Sequence, residues 1–66
     1  MDEKIRQINI RQLTSKIRSI NGLLEDYQWE LDNLELTDKD RNDIAGSVAS
    51  AKHEMSIHQR DLDKLQ

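Results

Sequence analysis

Residues 10–34, IRQLTSKIRSINGLLEDYQWELDNL, decide the fold. In steps of three and four, Ile10, Leu13, Ile17, Ile20, Leu24, Tyr27, Leu31 and Leu34 are all apolar or aromatic, and the residues between them are mostly polar. That is a heptad seam with Ile10 at position a and Leu13 at position d, held in phase across the whole stretch. A seam of this width buries one narrow stripe against another helix. It specifies a packing mode and names no reaction.

A second seam follows further on, at Ile44, Val48, Ala51, Met55, His58, Leu62 and Leu65, again spaced four and three throughout. Between the two the pattern lapses, and Thr37-Asp38-Lys39-Asp40 reads as a helix start. Thr37 or Asp38 caps the free amides, while Asp38, Asp40 and Asp43 put negative charge at the positive end of the helix dipole. The expected elements are helix 1 over 10–36 and helix 2 over 38–65, in a single domain spanning 1–66. Two matched seams joined by so short a connection imply an all-α, coiled-coil-like antiparallel helical hairpin.

Two places qualify this reading. Asn21-Gly22 is a turn-type pair, and Gly inside a helix costs about 1 kcal/mol relative to Ala. The step from Ile20 to Leu24 nevertheless keeps the heptad phase, so helix 1 is expected to run through. Ahead of the seam, Ile5 and Ile8 fall off the stripe, and Asn9 followed by Gln12 has the form of a capping box. Residues 1–9 therefore either continue the helix with both isoleucines exposed or form a flexible arm ahead of a start near Ile10.

In the matching register, residue n of helix 1 faces residue 78 − n or 79 − n of helix 2. Leu31 then meets Val48, Tyr27 meets Ala51, Leu24 meets Met55, Ile20 meets His58, Ile17 meets Leu62 and Leu13 meets Leu65. Two helices shield such a stripe only in part, because a stable bundle surrounds its core with three or four. A two-fold dimer of hairpins is the smallest closed solution. In plan this four-helix bundle resembles the ROP-like plasmid regulators, which are also dimeric hairpins of similar length. The resemblance is architectural and implies no residue roles.

Composition agrees with this. At 66 residues with no Cys, the chain has neither disulfides nor thiolate ligands to staple a small core, which leaves oligomerisation as the common remedy. With 35% hydrophobic and 35% charged residues, 3% aromatics and no Pro, it suits long helices better than a sheet, and the regular heptads argue against disorder. No apolar run is long enough to span a bilayer and the N-terminus has no signal-peptide block, so a cytoplasmic protein without a membrane partner is expected. The net charge of −3 is unevenly placed: the first twenty residues carry Lys4, Arg6, Arg11, Lys16 and Arg18 against Asp2 and Glu3, whereas 21–46 carry eight acids against Lys39 and Arg41.

Trp29 lies opposite the seam in a row with Ile8, Ser15, Gly22 and Leu36, and a Trp flanked by small residues is a common interface anchor. A protein-binding surface is accordingly expected at Trp29 and Leu36, or on the arm at Ile5 and Ile8. The competing expectation packs Trp29 inside the homodimer over Ala45, Gly46, Ala49 and Ser50. Alternatively Arg6, Arg11, Lys16 and Arg18 contact nucleic-acid phosphates, although no recognition motif or stacking aromatic accompanies them. A weaker alternative has the acids from Glu25 to Asp43 mimic phosphates in a basic groove of another protein. A further one makes the chain a coiled-coil segment of a larger assembly.

His53, Glu54 and His58 superficially suggest a zinc-protease helix, but that motif needs its histidines four apart and these are five apart. His58 sits in the seam with Glu54 one turn earlier, and if buried and neutral it would make the dimer loosen on acidification. No metal, cofactor or catalytic residue is expected, since no nucleophile elbow or Gly-rich phosphate loop occurs. The sequence supports a small interaction or regulatory protein of adaptor or inhibitor type, of a kind frequent among phage and plasmid products.

Overall fold

The structure is a computed structural model and describes residues 2–66. It contains two α-helices, α1 at Glu3–Asn33 and α2 at Asp38–Leu65, joined by four residues and packed against each other as a hairpin. The molecule is a rod with Cα extents of 51 × 16 × 12 Å.

Helix α1 begins seven residues ahead of Ile10, where the seam starts, so Glu3 to Asn9 are helical and no arm is present in that stretch. The cap is Asp2, whose carboxylate accepts from the Lys4 amide at 3.1 Å, and Asn9 lies half-buried inside the helix. Glu3 supplies the negative charge favoured in a first turn and holds both Arg6 and Gln7 on its carboxylate. These local bonds extend the helix without a seam to lean on. Ile5 and Ile8 are consequently left 52% and 46% exposed.

Asn21 and Gly22 lie within the helix, and no residue has positive φ among those described. The far end comes sooner than residue 36. Leu34 turns extended, at φ −103° and ψ 146°, and its amide donates to the Glu30 carbonyl at 3.0 Å. The last turn has no basic residue, so Glu30, Asp32 and the Glu35 that follows crowd negative charge onto the negative end of the dipole. Asn33 closes the end by donating from Nδ2 to the Trp29 carbonyl at 2.9 Å. Leu34, expected at the end of the seam, is 44% exposed, and Leu36 lies half-buried in the connection, outside the Trp29 row.

Helix α2 starts at its Thr37 cap, whose hydroxyl accepts from the Asp40 amide at 3.1 Å, with Asp38 and Asp40 in the first turn. Tyr27 and Ala51 share one groove wall, and Ile20 and His58 share another, as the register in which n faces 78 − n requires. At the open end the Arg6 guanidinium reaches across and donates to the Leu65 carbonyl, one of the last carbonyls of α2 left free within its own helix.

Candidate interaction surface

The seams meet, but two helices do not close over them. Among the described residues only Ala51 and Leu62 are buried, and the other seam residues from Ile10 to Leu31 and from Ile44 to Leu65 stay half-exposed. Ala51 and Tyr27 line the same groove, a small residue opposite a large one.

Alongside the seam runs an open groove of about 630 Å³, with Leu23 and Tyr27 of α1 facing Gly46, Ser50 and Ala51 of α2. A second groove of about 330 Å³ continues it between Ser19 and Ile20 of α1 and His58 of α2. Glu54 lines both, so they form one trough on one flank of the hairpin. Leu23, 43% exposed, forms part of its wall. Ile57, also 43% exposed, follows Ser50 and Glu54 at helical spacing and extends the same row. The heptad reading missed both because it attended to the a and d stripe. A search for apolar residues at the flanking positions would have found them.

The residues expected to bind a protein divide into separate groups. Trp29, 58% exposed, shares the outer row of α1 with Ile8, on the side turned away from α2. Ile5 belongs to the row of Ser19 and Leu23, on the trough side, and Leu36 belongs to the connection. Trp29 is thus not over Gly46 and Ser50 of its own chain, whose groove is walled by Leu23 and Tyr27 instead.

The four cations proposed for phosphates do not form one patch. Arg6 is held by Glu3, Nη2 to Oε1 at 2.8 Å and Nε to Oε2 at 3.0 Å, besides its bond to α2. This two-pronged contact together with Gln7 draws the Glu3 carboxyl down to about 2, with Arg6 the larger cause, and the carboxylate in turn raises Arg6. Lys16 lines the trough, whereas Arg11 and Arg18, seven residues apart, share the opposite flank. His58 is partly buried, its side chain 17% exposed, with Nε2 3.6 Å from a Glu54 oxygen.

No group of three or more His, Cys, Asp or Glu side chains placed to hold a metal ion occurs among the described residues, and none of their helices is long and apolar enough to cross a membrane. No protein-family model, curated protein or solved structure gives a significant match to the chain, so the likeness that this molecule carries is that of its architecture, an all-α two-helix hairpin.

Proposed function

We propose that this chain is a small non-enzymatic, cytoplasmic interaction protein that pairs with a second copy to form a four-helix bundle and binds another protein through the outer face of α1. The observation that carries the reading is the unfinished core: with only Ala51 and Leu62 buried among the described residues, both seams remain open to water along their length. Apolar surface left in this state is stabilised by association, at roughly 25 cal/mol per Å² removed from water. The second face is Trp29 with Ile8, which the seams do not use and which no residue of α2 faces. Trp29 is exposed beside small Gly22, so a helix or loop of a partner has room to approach. An adaptor or inhibitor role fits two separate faces on one rod.

Sedimentation equilibrium at tens of micromolar tests the first half, with a mass of twice 7.8 kDa expected. A fully helical monomer at that concentration refutes it. For the second half, a Trp29→Ala protein keeps its helicity and dimer mass but loses retention of the partner that the unaltered protein captures. Loss of the dimer mass in that variant would instead place Trp29 inside the bundle.

A further inference from the structure

We propose that the second copy docks along the flank carrying Leu23 and Ile57, antiparallel to the first, about a two-fold axis that passes close to Leu23. This rests on the dimer reading above and adds to it the face and the orientation.

The two flanks of the hairpin are chemically unlike. The trough side exposes Leu23 and Ile57 above small Gly46, Ser47 and Ser50, so a helix can lie close to the open seam there. The opposite flank carries Thr14, Asn21 and Gln28 on α1 with Lys52 and Gln59 on α2, and none of its residues is a large hydrophobe. Covering the trough removes Leu23 and Ile57 from water together with the charged Lys16, Asp43 and Glu54 that line it, whereas covering the other flank would strip water from amides and an ammonium with no large apolar side chain gained in exchange.

Charge selects the antiparallel arrangement. The open end of the rod, residues 1–20 and 52–66, holds eight Lys and Arg against five Asp and Glu; the closed end, residues 21–51, holds two against eight. Parallel stacking would set the acidic ends side by side, whereas a two-fold axis across the trough sets each acidic end on a basic one. The position of that axis follows from the register. The helices overlap where 13–33 of α1 lie beside α2, and the middle of that span is Leu23. Lys16 precedes Leu23 by seven residues and Glu30 follows it by seven, in one row, so the axis brings Lys16 of one copy to Glu30 of the other, twice, and sets the two Glu54 side chains level with each other across it, two attractive pairs against one repulsive one.

Sedimentation of variants tests this, with helicity checked by circular dichroism. Leu23→Lys is expected to raise the dimer Kd by roughly tenfold or more, because two leucines leave the centre of the interface. Asn21→Lys, on the opposite flank, should change it by less than about threefold. Lys16→Glu and Glu30→Lys should each weaken the dimer, and the doubly reversed protein should return to within about threefold of the original. The chain has no Cys, so Leu23→Cys should give a disulfide-linked dimer on mild oxidation and Asn21→Cys should not. A helical Leu23→Lys protein that dimerises unchanged overturns the proposal, as does Leu23→Cys dimer that fails to cross-link. The cross-link decides if Leu23→Lys loses helicity. An unaltered protein that is monomeric throughout refutes the dimer itself, an outcome distinct from a dimer built on another face.

Discussion

Gly22 sits in the interior of α1, eleven residues from its C-terminal end, in ordinary helical conformation with no positive φ. A methyl group built at its Cα meets nothing within 4 Å. Replacing it with Ala therefore adds no contact and no clash, and what changes is the chain entropy of the unfolded state and the local helix propensity. These amount to about 1 kcal/mol in a helix interior. For a domain of this size that corresponds to a rise in Tm of about 4–8 °C. Thermal melts followed by circular dichroism at 222 nm, at matched protein concentration because a dimer melts in a concentration-dependent way, measure it directly. A Gly22→Ala protein that melts at or below the original temperature would refute this reasoning. It would mean that the chain needs glycine there, either for a bend that makes Asn21-Gly22 a hinge or for close approach of another helix.

Other substitutions probe the remaining supports. Thr37→Ala removes the oxygen that accepts from the Asp40 amide and should cost about 1 kcal/mol, visible as a lower urea midpoint with unchanged slope. Leu62→Ala empties one of the two buried apolar positions among the described residues and should cost at least about 2 kcal/mol; a loss below half of that would show that Leu62 is not packed as described. For Glu3 the folded-state pKa lies below its ordinary 4.5, so the Glu3–Arg6 contact contributes above that value and is lost as pH falls towards about 2. A carboxyl NMR titration should place the Glu3 midpoint well below the ordinary 4.5, and Arg6→Ala should bring it most of the way back.

The hairpin was legible because its signals are local. A seam of period 3.5 is written in neighbours three and four apart, and Thr37 with its aspartates declares a helix start within a few residues. The ends of α1 were less legible for a reason equally physical. Asn9-Ile10-Arg11-Gln12 has the form of a cap, but Asp2 with Glu3, Arg6 and Gln7 forms a competing start that owes nothing to the seam. At the other end, accumulated acids outweighed the apolar rhythm that Leu34 and Leu36 continued.

Taken alone, the sequence determined that there are two amphipathic rods, where the second begins, and how their stripes are phased, since each follows from backbone geometry and the side chains within one turn. Only the tertiary structure decided that Arg6 caps α2 at Leu65, that Trp29 stands clear of the small residues of α2, and that Leu23 lines a trough with Gly46 and Ser50 of α2. Those facts depend on how one helix is rotated against the other. A rotation of that kind is fixed by packing between residues tens of positions apart, and no periodicity within a single helix encodes it.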